Sequence, residues 1–225
     1  MASRPLPGPR TGADPKVPLA KPVAMVPRGR LASVRREAAT CQACPLWRGA
    51  TQTVFGEGPS HAAVMLIGEQ PGAQEDREGL PFVGPAGRML DEALVAAGLE
   101  REALYLTNTV KHFKYELRGK RRLHKSANAS EQAACRMWLA AELLRVRPRI
   151  VAGLGSMAAR TMFGDAFRIT RGRGEWREIG EDVRGIATWH PSALLRMPDG
   201  KSRAAAFGEL VEDLRKVARA AKRPG

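Results

Sequence analysis

Residues 120–124 read Lys-Arg-Arg-Leu-His, so His124 follows directly on Lys120, Arg121 and Arg122. A neutral imidazole can act as nucleophile or general base. The cations before it suit a polyanion. Three further segments carry groups that could hold and activate a ligand. GEQPG at 68–72 supplies Glu69 and Gln70, Thr107-Asn108 follows an apolar run, and His190-Pro191-Ser192 follows another. The proline after His190 restricts that histidine to extended or turn backbone, which could aim its ring at a ligand.

Cys41-x-x-Cys44 is followed by Pro45, and a third cysteine, Cys135, lies far along the chain. An odd number of thiols in a reducing compartment argues against a disulfide framework. No strand precedes the CxxC, as a thioredoxin-like redox site would require. Three thiolates meeting in space would need a fourth ligand, and His112, just after Thr107-Asn108, could swing toward Cys135. Cys₃His suits zinc, and histidine also ligates some iron–sulfur clusters. The spacing alone leaves cluster, zinc and no metal open.

Phe82 lies in Gly-Leu-Pro-Phe-Val-Gly at 79–84. Glycine and proline on both sides favour a shaped loop over a core strand. The ring would then serve as a stacking face for a flipped base; the plainer alternative is an ordinary core phenylalanine. Gly153-Leu154-Gly155-Ser156-Met157-Ala158 has the form G-x-G-x-x-A, a weak dinucleotide fingerprint. It falls on the third strand with no fitting acidic residue downstream, so tight strand-to-helix packing is the better reading.

The formal net charge is +14 over 225 residues, and it is unevenly spread. Residues 1–30 hold six Lys/Arg against one acidic residue, and residues 214–225 hold five against none. Residues 111–125 hold seven against Glu116, which leaves the rest of the body slightly acidic. Polyanion binding by an internal loop predicts this pattern, although a solvated basic loop would also give it. No apolar run approaches the roughly 18 residues of a membrane span. The basic N-terminus lacks the apolar core of a secretory signal. A cytoplasmic monomer is expected.

These groups need elements to position them. Residues 1–30, rich in Pro, Gly and Arg, read as a disordered tail ahead of a single domain at 31–220. Apolar runs at 62–67, 103–106, 150–154 and 183–189 read as strands. Residues 85–97, 130–146, 156–163 and 204–220 carry helical spacing. Residues 111–127 form a basic insertion. Alternation of strands and helices predicts an α/β fold: a three-layer α/β/α sandwich around a central four-stranded, mainly parallel sheet. In such sheets ligands bind at the carboxyl ends of the strands. GEQPG, Asn108 and the His190 segment should therefore share one rim.

GEQPG, Glu75-Asp76, residues 79–84, Thr107-Asn108 and HPS together resemble the family 4 uracil-DNA glycosylases, over about residues 41–217. Gln70 and the insertion resemble the UdgX branch, whose loop reads KRRIH; Leu123 replaces the isoleucine. His112, where ordinary family 4 members carry cysteine, also resembles that branch. The resemblance implies a 4Fe-4S cluster held by Cys41, Cys44, His112 and Cys135. It implies a uracil pocket of Gln70, Phe82 and Asn108, and DNA contacts from Lys120, Arg121, Arg122 and Ser192. It implies further that uracil-containing, preferably single-stranded DNA becomes bonded to the protein through His124.

The chemistry is consistent with that outcome. Departure of uracil leaves oxocarbenium-like character on the sugar. His190 is the candidate donor to the leaving base, and Glu69 is the candidate to orient or deprotonate His124. Two alternatives remain: a conventional, turning-over family 4 glycosylase, and a non-catalytic metal-bearing DNA-binding module.

Overall fold

The computed structural model describes residues 17–222. In chain order the elements are α1 (Leu31–Ala38), β1 (Val64–Gly68), α2 (Ala73–Glu78), α3 (Pro85–Ala97), β2 (Tyr105–Asn108), β3 (Tyr115–Arg118), β4 (Arg121–His124) and α4 (Ala129–Val146). There follow β5 (Ile150–Leu154), α5 (Gly155–Phe163), α6 (Ile169–Gly172), β6 (Arg177–Gly180), β7 (Val183–Thr188), α7 (Pro191–Leu195) and α8 (Gly200–Ala221).

The central sheet has the order β2-β1-β5-β7-β6. Its first four strands are parallel and correspond to the four apolar runs. The fifth, β6, is antiparallel to β7 and was not expected from the sequence. It reads Arg-Glu-Ile-Gly and has no apolar run, because an edge strand at the rim stays half in water. β1 shows how the layers form. Val64 and Leu66 pack with α3 and α8 residues such as Leu90, Leu94, Leu210 and Leu214. Met65 and Ile67 face Leu139 and Leu143 of α4 and Ala158 and Met162 of α5. Alternate side chains of a strand point to opposite faces, so a continuous apolar run marks a strand covered on both. Each such buried side chain contributes roughly 1.5–3 kcal/mol.

Helix boundaries follow local chemistry. α3 opens with Pro85 and stops at Gly98 in the left-handed conformation. α4 starts one residue before the expected Ser130, because Asn128 caps it. The Asn128 side chain accepts from Glu131 N at 2.9 Å, and Glu131 accepts from Asn128 N at 2.7 Å.

The expected disordered tail divides in two. Residues 1–16 lie outside the described residues. Residues 17–30 lie against the domain instead. Val17 and Leu19 pack beside Met162 and Val183 in the core of that face, and Ala20 N donates to Thr161 O at 3.0 Å. Arg145 of α4 donates to the carbonyls of Pro27 and Gly29. Composition hid this, because a few apolar contacts and backbone hydrogen bonds are enough to pin a Pro-rich segment.

The basic insertion is a two-stranded hairpin, with β3 and β4 paired from Tyr115↔His124 to Arg118↔Arg121 around Gly119-Lys120. At its root lies a buried ion pair. Lys111 Nζ donates to Glu142 Oε2 at 2.6 Å, Thr107 Oγ1 at 2.6 Å and Asn108 O at 2.7 Å, which uses all three ammonium donors. Both side chains are fully buried. Lys111 belongs to the span read from sequence as polyanion-binding, yet it never reaches solvent. A buried charge that loses its partner costs about 3–5 kcal/mol. Lys111→Met should therefore lower unfolding stability by about that much in denaturant titration, and adding Glu142→Gln should cost far less than a second full penalty.

Candidate functional site

Asn108, Glu69, Gln70 and His190 all emerge at the carboxyl ends of the parallel strands. β1 lies between β2 and β5, so strand order reverses there, the usual place for a crevice in an open α/β sheet. The floor of the crevice is Gly68. A Cβ at that position would overlap both Asn108 Oδ1 and the tip of the Phe82 ring. The missing side chain is what lets the amide and the ring meet. Asn108 is 3% exposed. Its amide makes no hydrogen bond to the described residues, while no buried side-chain nitrogen or oxygen among them is left without a partner. The amide therefore keeps a little solvent contact, with its hydrogen-bonding capacity unused by the described residues.

His190 closes the opposite side, with its ring 6.2 Å from that of Phe82, centroid to centroid. Its orientation is set locally. Ser192 N donates to His190 Nδ1 at 3.1 Å, and Ser192 Oγ lies 2.8 Å from the same atom. Nδ1 therefore accepts, and in the neutral ring the proton sits on Nε2. Burial pushes the His190 pKa down to about 4, with Arg196 and His124 adding to the shift and Glu69 opposing it. At neutral pH the ring is an uncharged donor through Nε2. Ser192, read from sequence as a DNA contact, is engaged in orienting this ring. Gly155, at φ +85, sits where a Cβ would strike His190 Cβ. The G-x-G-x-x-A segment thus serves close packing: Gly153 likewise abuts Met162 and Ala159.

His124 ends β4 at the mouth of the crevice, its ring 6.2 Å from that of Phe113. Burial lowers its pKa, Arg196 lowers it further, and Glu69 and Glu75 oppose. The imidazole keeps its lone pair near neutral pH. His124, His190, Glu69 and Arg196 therefore share one local field. Arg196 was missed in the sequence; its only signal is its place one turn after Ser192, whose hydroxyl accepts from Arg196 Nη1 at 3.2 Å. Glu69 Oε1 accepts from Ser126 Oγ at 2.7 Å, just beyond the hairpin.

Gln70 does something the motif did not indicate. Its Nε2 donates to Lys125 O at 3.0 Å and Lys114 O at 3.4 Å, and its Oε1 accepts from Ala127 N at 2.8 Å. The side chain read as a uracil contact clamps both legs of the hairpin. Arg122 plays a similar part: it donates to Asp76 Oδ2 at 3.0 Å and stacks 4.8 Å over the Tyr115 ring. Asp76 in turn accepts from Thr51 N and Oγ1. Lys114 pairs with Glu131 and Lys125 with Glu116. Among the described residues, Arg118, Lys120 and Arg121 have no ion-pair partner. Lys120 and Arg121 line a groove of about 480 Å³ with Arg77, Ala73, Arg122 and Leu123. Arg77 is a cation that the loop motif did not point to.

Cys41, Cys44 and Cys135 belong to one apolar cluster with Val34, Ala38 and Trp138. Burial pushes the Cys135 thiol up to about 12, the other two thiols raise it further, and Lys111 opposes. Burial also raises Cys44. Buried thiolates need a cation, so the pocket suits neutral thiols or a metal centre. Two sulfurs already accept hydrogen bonds: Cys41 from Trp138 Nε1 at 3.1 Å and Cys135 from Lys111 N at 3.2 Å. His112 is buried beside Thr53. Thr53 Oγ1 gives its proton to Ala38 O, so it accepts from His112 Nε2 at 2.9 Å. Nδ1 is then the nitrogen with the lone pair, the arrangement of a metal-ligating histidine. Among the described residues, no three His, Cys, Asp or Glu side chains close on a single metal-ion position. The donor set nonetheless fits a thiolate-rich centre completed by one imidazole. No helix among the described residues is long and apolar enough to cross a membrane.

The family model of the uracil DNA glycosylase superfamily matches residues 55–215. A type-4 uracil-DNA glycosylase of Archaeoglobus fulgidus is 34% identical over 175 residues, 75% of this chain and 84% of the relative. One of Thermotoga maritima is 34% identical over 186 residues, 82% of this chain and 91% of its own length. One of Sulfurisphaera tokodaii is 33% identical over 177 residues, covering 75% and 77%. With the crevice at the strand ends and a match over most of its length, the chain belongs to the uracil-DNA glycosylase superfamily, as a type-4-like member.

Proposed function

We propose that this protein excises uracil from DNA, preferably single-stranded, and becomes bonded to the sugar it leaves behind. The observation that carries the second half is His124: a neutral imidazole at the crevice mouth, on a hairpin clamped by Gln70 and Arg122. Uracil would lie against Phe82 with its edge on the Asn108 amide. As the N-glycosidic bond breaks, its electron pair moves onto the base, and His190 Nε2–H donates to uracil O2, where negative charge develops. C1′ gains oxocarbenium character. The His124 lone pair then forms a C–N bond at C1′, in place of the C–O bond that attack by water would form. The alkylated imidazolium loses its remaining N–H proton, with the Glu69 carboxylate the nearby acceptor. Conventional turnover is the second reading, supported by the names of the relatives.

The donors Cys41, Cys44, His112 and Cys135 would hold a 4Fe-4S cluster. Its contribution would be structural, tying the segment before β1 to α4 and to the residues after β2. Lys120, Arg121 and Arg77 would hold phosphates, while Arg122 acts mainly through Asp76.

Three tests follow from these assignments. Wild-type protein mixed with uracil-containing single-stranded DNA should give an adduct that survives heat and detergent, with the sugar mapped to His124. His124→Ser should lose the adduct while base loss continues through water. An adduct of normal yield from that variant would show another nucleophile. Arg121→Ala should reduce the salt dependence of initial binding by about one unit of log–log slope, as for one lost phosphate contact. Arg122→Ala should slow crosslinking with a smaller change in slope; the reverse order would reassign the two arginines. Purified protein should contain iron and acid-labile sulfide in equal amounts, and Cys135→Ala should lose both together with thermal stability. Stoichiometric zinc without iron would overturn the cluster.

A further inference from the structure

Phe82 carries a backbone conformation that its side chain disfavours. Its φ is +57°, in the left-handed region that non-glycine residues rarely occupy. Such a conformation persists only where its surroundings over-determine it, and it is found most often where a side chain must be aimed. Three restraints act on it. Arg101, in the short 3-10 turn before β2, donates from Nη2 to both Pro81 O and Phe82 O at 3.1 Å. Its Nη1 binds Asp91 Oδ1 of α3 at 2.5 Å. The third restraint is steric: a Cβ on Gly87 would overlap the Phe82 carbonyl, so α3 presses directly on that peptide. On the far side of the loop, Glu75 accepts from Gly84 N at 2.8 Å and from Gly72 N at 3.0 Å.

Arg101 sits outside the crevice, and its contacts are to backbone carbonyls and to α3. Its planar fork can hold two adjacent carbonyls and a carboxylate at once, which an ammonium group on a flexible stem does less well. Two carbonyls turned toward the same guanidinium fix the Pro81–Phe82 peptide and hence the direction of the Phe82 side chain. That direction sets the ring against Gly68 and 6.2 Å from His190.

We infer that Arg101 is a positioning residue, which holds the strained Phe82 backbone so that the ring forms one wall of the base pocket. This rests on the reading of Phe82 as the stacking face. Without the guanidinium the peptide is free to relax toward an ordinary conformation, and the ring turns away from the crevice.

The test is a double-mutant cycle in single-turnover base loss from uracil-containing single-stranded DNA, counting adduct and abasic product together. That readout holds whether the reaction ends in a crosslink or in release. Arg101→Ala should slow base loss at saturating protein by on the order of 10²-fold, as misplacement of a reacting group does. Affinity for uracil-free single-stranded DNA should stay unchanged. Arg101→Lys should recover part of the rate. In the Phe82→Ala background, Arg101→Ala should have no further effect, because its route of action is gone. Multiplicative slowing in the double variant, or a wild-type rate for Arg101→Ala, would overturn the inference while leaving the pocket intact. A wild-type rate for Phe82→Ala alone would remove the stacking face itself, and the inference with it. Should Arg101→Ala not fold, Arg101→Gln in the same cycle gives the same discrimination.

Discussion

The Lys111–Glu142 pair lies where the crevice, the hairpin and the thiol cluster meet. Lys111 Nζ bonds the carbonyl of Asn108, whose amide faces the crevice, while Lys111 N bonds Cys135 Sγ. Glu142 reaches across from α4 to Gly56 N and the hydroxyls of Tyr105 and Thr107. Desolvating two charges costs several kcal/mol each, and their attraction inside the protein roughly offsets that. The pair is therefore a poor source of net stability but a strict geometric constraint. The end of β2 can shift only by leaving a buried charge unpaired. The same rigidity that places Asn108 against Gly68 also places the first residues of the hairpin.

The hairpin illustrates the opposite regime. Two strands alone are marginal in water, and β3 and β4 bury little. Leu117, near the tip, is 68% exposed. What fixes His124 is the docking, not the ladder. Gln70 holds the two legs through backbone atoms that do not depend on the hairpin's side chains, and Arg122 ties one face to the fully buried Asp76. The cations of the insertion thus divide by task. Some build the platform, and those left at the tip meet solvent. Charge counting cannot separate them, because a buried or paired cation and a free one add the same unit to the sum.

The sheet was legible because burial on both faces demands continuous apolar runs, as at Met65-Leu66-Ile67 and Ile150-Val151. β6 was not, because an edge strand such as Arg177–Gly180 needs no apolar run. The rim of the site followed from topology: once β1, β2 and β7 were strands, Glu69, Asn108 and His190 had to converge. The partners of individual polar groups were hidden. Gln70 and Ser192 sit within short motifs that name a region, yet their hydrogen bonds go to Lys125, Ala127 and His190, 55, 57 and 2 residues away. Arg196, Arg77 and Arg101 lie outside every motif. An arginine gains its role from whichever carbonyl or carboxylate the fold brings within reach, and spacing carries no record of that.

This arrangement separates two decisions that a glycosylase must make. In the proposed reading, recognition and bond breaking would depend on strand ends and on the loop that presents Phe82, all supported by the sheet and its helices. The fate of the sugar depends on what stands at C1′ after the base has left; in the proposed reading that group is His124, carried by an insertion docked on the rim. A water molecule there must be bound and activated anew in each cycle. On that reading an imidazole on a strand held by Gln70 and Arg122 would need no such recruitment, because the fold already holds it at the rim. No residue of the hairpin forms part of the contact between Asn108, Gly68 and Phe82, so exchange of the group at His124 would leave that contact undisturbed.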